Sequence, residues 1–200
     1  YDLIKEKFYR ENFKDQIDYK SKLFQEVDQI ICISNNTKKD LEEQYSIQSS
    51  KISITHLGVN KNKDYREKLL NLRPYILFVG ERHRYKNFIN LIKAYSLSGK
   101  LNQNFDLVCF GGGKFSIEEK KLFNDLSIDK NKIHYFQGDR LDLNYFYKNA
   151  RLFIFPSLYE GFGLPLLEAM NMQCPVLCSD TSSFFEVAND AALFFDPKSV

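Results

Sequence analysis

Eight short apolar runs set the rhythm of the chain and restrict its architecture more than any other feature. They are "QIICI" (29–33), "KISIT" (51–55), "YILFVG" (75–80), "FDLVCFG" (105–111), "KIHYF" (132–136), "RLFIF" (151–155), "CPVLC" (174–178) and "ALFF" (192–195). The runs are near-continuous rather than alternating and rich in β-branched and aromatic residues, the pattern of strands buried on both faces. Amphipathic stretches such as "NFINLIKAYSL" (87–97) and "LNYFYKNA" (143–150) fall between them. This alternation predicts an α/β fold: a Rossmann-like parallel sheet with helices on both faces. The spacings Thr37 to Asp40, Ser116 to Glu119 and Ser183 to Glu186 are those of capping boxes and predict helix starts.

The rhythm breaks once, at the polar stretch "HLGVNKNKDYREKLLNLRP" (56–74). Residues 56–74 are therefore expected to connect two units. Residues 1–55 would form the end portion of one domain and residues 75–200 most of a second α/β domain. The 28 Lys and Arg and 26 Asp and Glu are interspersed and leave a net charge of +2. A nucleic-acid partner is thereby disfavoured, because it requires a basic face or stripe. No apolar run approaches the length that spans a bilayer, and no signal peptide is evident. Cys32, Cys109, Cys174 and Cys178 lie in apolar runs and read as small buried hydrophobes. No second His or Cys pair completes a zinc set around Cys174 and Cys178. The expectation is a cytoplasmic protein with no metal and no cofactor.

The glycines gather at the ends of the predicted strands. Gly80, Gly111 to Gly113, Gly138 and the pair Gly161 and Gly163 each follow a strand and precede a helix. In a parallel sheet those turns share one edge, where ligands bind. Each glycine alone is compatible with tight turn geometry. Together they point to a crevice in which backbone approaches a ligand closely.

The stretch "EGFGLPLLEAM" (160–170) shows what such a ligand would carry. Pro165 suits the first turn of a helix, and the free N–H groups of Phe162, Gly163 and Leu164 would attract an anion such as phosphate. Glu160 and Glu168 would repel a phosphate set directly against them, but they accept strongly from sugar hydroxyls. A nucleotide sugar, with a diphosphate between two hydroxyl-rich rings, meets both demands. Cations are supplied by "VGERHRYKN" (79–87), which offers Arg82, Arg84 and Lys86 with Asn87 as cap. The alternative is a solvated basic turn. Glu186 is expected in its capping box, Glu118 on a solvated surface, and His56 in a structural role near the connection. His83 sits inside the basic turn and is given no role.

With these motifs in place, the chain resembles the group 1 (family 4 class) retaining glycosyltransferases of GT-B fold, mostly their C-terminal nucleotide-sugar-binding domain. "FPSLYEGFGLPLLEAM" carries the signature, with Glu160 and Glu168 eight positions apart. "ICISNNTKKDL" (31–41), "ITHLGVN" (54–60), "YILFVGERHRYKN" (75–87), "LVCFGGGKF" (107–115) and "CPVLCSDTSSFFEVANDAALFFDP" (174–197) follow in the family's order. The resemblance implies that Arg82 and Lys86 bind the diphosphate and that Glu168 binds the ribose. It places Glu160 near the transferred sugar, beside backbone groups of Phe162, Gly163 and Leu164, and the base near Gly138. It implies transfer from a nucleoside-diphosphate sugar to a glycan or lipid-linked acceptor, with peripheral membrane contact open to the full-length protein. Gln173 stands where the family has Gly. An acceptor-binding N-terminal domain and a C-terminal helix of the family are expected to lie outside this chain, so a donor-binding fragment without turnover is one alternative. An epimerase or phosphorylase of the same architecture is another. A dinucleotide oxidoreductase is disfavoured, because "GGGKF" lacks the Gly-x-Gly-x-x-Gly pattern. The absence of Asp-x-Asp fits the family, in which protein cations replace a metal.

Overall fold

The computed structural model describes residues 2–82 and 84–199. His83 lies outside the described residues. Two parallel sheets form. A two-stranded sheet pairs β1 (Ile30–Cys32) with β2 (Ile52–Ile54). Around it lie α1 (Ile4–Phe8), α2 (Lys14–Glu26) and α3 (Asn35–Tyr45). Leu3, Cys32, Leu41, Ile47 and Ile52 make its small core.

The second sheet has six strands: β3 (Tyr75–Val79), β4 (Asp106–Phe110), β5 (Ile133–Phe136), β6 (Leu152–Phe155), β7 (Val176–Ser179) and β8 (Leu193–Phe195). Their spatial order is β5-β4-β3-β6-β7-β8, all parallel. The chain thus builds outward from β3 in one direction, then returns to β6 and builds outward in the other. That is the doubly wound order, and it leaves a switch point between β3 and β6.

Side-chain alternation along β3 assigns the two faces. Tyr75, Leu77 and Val79 pack with Phe146 of α7 (Arg140–Asn149), Leu166 and Ala169 of α8 (Leu164–Asn171) and Phe184 of α9 (Phe184–Ala188). Ile76 and Phe78 pack on the other face with Phe88, Leu91 and Ile92 of α4 (Phe88–Leu97) and Phe123 of α6 (Ile117–Asp125). Both faces are covered, as the apolar runs required. The short α5 (Gly99–Asn104) completes the set.

Residues 55–74 contain no helix or strand. Side chains of α7 pin this segment: Asn144 donates to the Asp64 carbonyl at 2.7 Å and Tyr145 to that of Lys68 at 3.0 Å.

Of the three expected capping boxes, the Ser116–Glu119 pair forms. Ser34, not Thr37, caps α3 by accepting from the Thr37 N–H. Ser183 makes no side-chain cap bond on α9, because its hydroxyl is drawn to carbonyls of another loop. A box absent from the sequence reading joins Asp139 and Asp142 at the start of α7.

Candidate functional site

The four glycine-bearing turns do share one edge, since every strand of the six-stranded sheet is parallel. The turn after β3 and the turn after β6 flank the switch point. A main-chain bond ties them together, from the Leu158 N–H to the Tyr85 carbonyl at 2.7 Å. The first turn keeps an unusual backbone. Arg84 (φ +46) and Asn87 (φ +57) both occupy the left-handed region, where non-glycine residues are strained and which tends to mark functional sites. Asn87 precedes α4 as expected, but its side chain donates to the Pro197 carbonyl instead of capping the helix.

Lys86 and Glu160 meet across this junction. Lys86 Nζ lies 2.7 Å from Glu160 Oε1, and both side chains are largely withdrawn from water. The ammonium also lies over the rings of Tyr85 and Phe155, 5.4 and 5.3 Å from their centroids. The main chain of Glu160 is held by the turn after β7. Ser182 Oγ accepts from its N–H at 3.0 Å and donates to its carbonyl at 2.5 Å.

Arg82 does not stand in the crevice as a free cation. Its Nε pairs with Glu119 Oε1 at 2.7 Å, Nη1 donates to the Gly111 carbonyl at 2.8 Å, and Nη2 donates to the Gly113 carbonyl at 2.8 Å. The ring of Phe115 lies 4.8 Å from the guanidinium, and the side chain is 3% exposed. In this arrangement Arg82 braces the glycine loop after β4. Meeting a diphosphate directly would require exchanging those bonds. A cavity of about 480 Å³ opens beside the brace, lined by Arg82, Arg84, Phe88, Gly112, Lys114 and Glu119 among others. Arg84 turns away to the N-terminal segment, donating to the Phe8 carbonyl at 2.8 Å.

Glu168 is placed on α8 against α7. Tyr147, fully buried, donates its hydroxyl to Glu168 Oε2 at 3.2 Å. Burial first, and then the neighbouring carboxylate, push the Tyr147 hydroxyl well above its ordinary pKa, so it stays a proton donor. The structure shows no direct bond from Glu168 to Lys86, Glu160 or Arg82 among the described residues. Gly163 (φ +99) precedes α8, Leu164 is its first residue, and Pro165 lies in its first turn. The Phe162 ring is buried and faces His56, with centroids 5.9 Å apart.

Two glycines of the edge have reasons inside the protein. A Cβ on Gly138 would overlap the Asp142 carboxylate, and one on Gly161 would lie 2.5 Å from Asp2 Cβ. Tight packing therefore accounts for both. Gly113 (φ +78) has no heavy atom within 4 Å of a built Cβ and faces open space.

The N-terminal unit grips the same loop, which sequence reasoning missed. Ser34 Oγ donates to the Gly161 carbonyl at 2.6 Å, and Tyr159 donates to Asp40 at 2.6 Å. Glu186 accepts from the Asn35 N–H at 2.8 Å and lies 2.6 Å from His56 Nε2. It therefore serves the start of α3 and not that of its own helix. The only signal in the sequence was the clustering of hydroxyl residues in "ISNNT" and "SDTSS".

The profile of the family described as "Glycosyl transferases group 1" matches residues 60–200. An O-antigen chain mannosyltransferase, RfbU, of Salmonella typhimurium is 30% identical over 169 residues, covering 84% of this chain and 46% of its own. O-antigen chain mannosyltransferase B of Escherichia coli is 29% identical over 204 residues, covering 94% of this chain and 53% of its own. The chain thus spans about half the length of the curated relatives it matches. The crystal structure of Anabaena Alr3699/HepE in complex with UDP and glucose superposes with a TM-score of 0.77 at 15% identity, over 96% of this chain and 55% of that one.

Proposed function

The chain belongs to the glycosyl transferases of group 1, and from that premise we propose that it forms the donor-binding part of a retaining glycosyltransferase. The full-length protein would move a sugar from a nucleoside diphosphate to a hydroxyl of a glycan or lipid-linked acceptor, in the assembly of a surface polysaccharide. Mannose, carried as GDP-mannose, is the sugar we propose first, because RfbU and mannosyltransferase B are named for it.

The observation that supports this reading most is the placement of Lys86 and Glu160 at the switch point, 2.7 Å apart. A diphosphate entering there would meet the ammonium of Lys86 and the N-terminal end of α8. Both oppose the negative charge that grows on the departing diphosphate as the glycosidic bond breaks. Arg82 would act from behind the glycine loop, holding its shape and adding positive charge. Glu160, released from Lys86 by the incoming phosphates, would accept from hydroxyls of the transferred sugar. Glu168, oriented by Tyr147, would accept from the ribose, with the base toward Gly138. The protein's contribution is positioning and fixed charge.

Residues 1–55 would end the acceptor-side domain, with residues 56–74 as the interdomain connection. No helix among the described residues is long and apolar enough to cross a membrane. We propose a cytoplasmic protein whose contact with a membrane, through the acceptor, is peripheral. Thermal shift of the protein with GDP, UDP and ADP and their sugars tests the reading. Stabilisation by one nucleoside diphosphate, lost in Lys86→Ala, supports it, and no shift with any of them refutes it.

A further inference from the structure

A carboxylate that must meet one sugar hydroxyl has to be held to within about half an ångström, yet Glu160 sits on a loop. What fixes the loop is a side chain from the next strand end. Ser182 Oγ takes both main-chain groups of Glu160, accepting from its N–H at 3.0 Å and donating to its carbonyl at 2.5 Å. Ser183, fully buried, adds a bond to the Phe162 carbonyl at 2.8 Å and one to that of Glu160 at 3.2 Å. Three strand ends are thereby stitched in a row: Lys86 after β3, Glu160 after β6 and Ser182 after β7.

Ser182 holds this place at a conformational cost. Its φ is +59, in the left-handed region, which disfavours a residue with a Cβ. Glycine would sit there without strain. A serine is useful at such a position for its hydroxyl, and that hydroxyl is committed to Glu160.

We propose that Ser182 is a positioning residue that sets the Glu160 carboxylate for sugar transfer, through the two hydrogen bonds its hydroxyl makes to the Glu160 main chain. The proposal rests on the reading of Glu160 as the group beside the transferred sugar.

The test uses the full-length protein and release of nucleoside diphosphate from GDP-mannose, UDP-glucose or UDP-N-acetylgalactosamine. Ser182→Ala and Ser182→Gly lower kcat roughly tenfold to a hundredfold, with the donor KM changed by no more than about twofold. In a Glu160→Gln background, Ser182→Ala causes no further loss, because the two act as a unit. Ser182→Gly keeps the left-handed backbone without strain, so poor folding of the alanine variant leaves the question decidable. Unchanged kcat in Ser182→Gly overturns the proposal, as does an additional loss in the double variant. Full turnover by Glu160→Gln, or no release by the wild type from any of the three donors, overturns instead the functional reading beneath it.

Discussion

Lys86 Nζ and Glu160 Oε1 stand 2.7 Å apart although 74 residues separate them in the chain. Each lies a few residues beyond a strand at the switch point, and each neutralises the other where a diphosphate would enter. In the proposed reading, the protein's own carboxylate occupies the place that the diphosphate would take beside Lys86.

Removing the two partners should have opposite effects on nucleotide binding. Lys86→Ala loses a charge-assisted contact of about 1.5–3 kcal/mol, weakening nucleoside-diphosphate binding roughly 10- to 150-fold. Glu160→Gln frees the ammonium, so binding should be equal or tighter while sugar transfer falls. Isothermal titration with GDP and UDP checks both. A Glu160→Gln protein that binds nucleotide as poorly as Lys86→Ala would contradict the assignment.

Arg82→Ala should act first on stability. It strips the donor from the Gly111 and Gly113 carbonyls and leaves Glu119 without its partner. Losing one side of such a withdrawn network costs about 3–5 kcal/mol, a fall in Tm on the order of 10 °C. Arg82→Lys should recover only a fraction, because an ammonium cannot reproduce the planar fork. Thermal unfolding without ligand measures it.

Asp142 predicts an acid limit. Lys68 first, then Arg66 and the Asp139 N–H, outweigh desolvation and hold its carboxyl at about 2, against 3.8 ordinarily. A depressed carboxylate stabilises the fold above its unfolded value and loses that contribution as pH falls toward the folded one. Stability should therefore drop between about pH 4 and pH 2, and Asp142→Asn should flatten that part of the curve at the expense of stability at pH 7. Denaturant midpoints across this range test the sign.

Gly138→Ala and Gly113→Ala should differ in kind. The first drives a methyl into the Asp142 carboxylate and breaks the cap of α7; loss of a cap alone costs about 0.5–2 kcal/mol. The second meets no atom and should cost only its positive φ, about 1–2 kcal/mol. Unfolding midpoints, with hydrogen exchange at the start of α7, would show whether only Gly138→Ala frays that helix.

Glu186→Ala should loosen the N-terminal unit. Its carboxylate takes up the Asn35 N–H and binds His56, and these bonds lower its pKa although burial opposes them. Amide exchange at Asn35 should quicken while the six-stranded core keeps its protection.

Among the described residues the eight strands fall within two residues of the apolar runs that announced them; β3 and β4 are buried at every position, as near-continuous runs require, while Ile31 of β1 and Leu193 of β8 are exposed. The positions of Glu160 and Lys86 just beyond strands, and the helix after Gly163, were legible because short spacings at strand ends are set by the local chain, whereas the pairing of the two side chains was not. Arg82 was legible as a residue but not as a geometry. Gly111, Gly112 and Gly113 all adopt positive φ, and the carbonyls of Gly111 and Gly113 accept from its guanidinium. Ser183 and Glu186 have the spacing of a capping box, yet their oxygens bond to groups 21 and 151 residues away. Periodicity and spacing in the sequence decide which residues are buried and where a helix can start. Only the tertiary structure decides which of several competing donors a polar group meets, because folding brings loops distant in the chain to one edge of the sheet and the nearest partner there is set by packing.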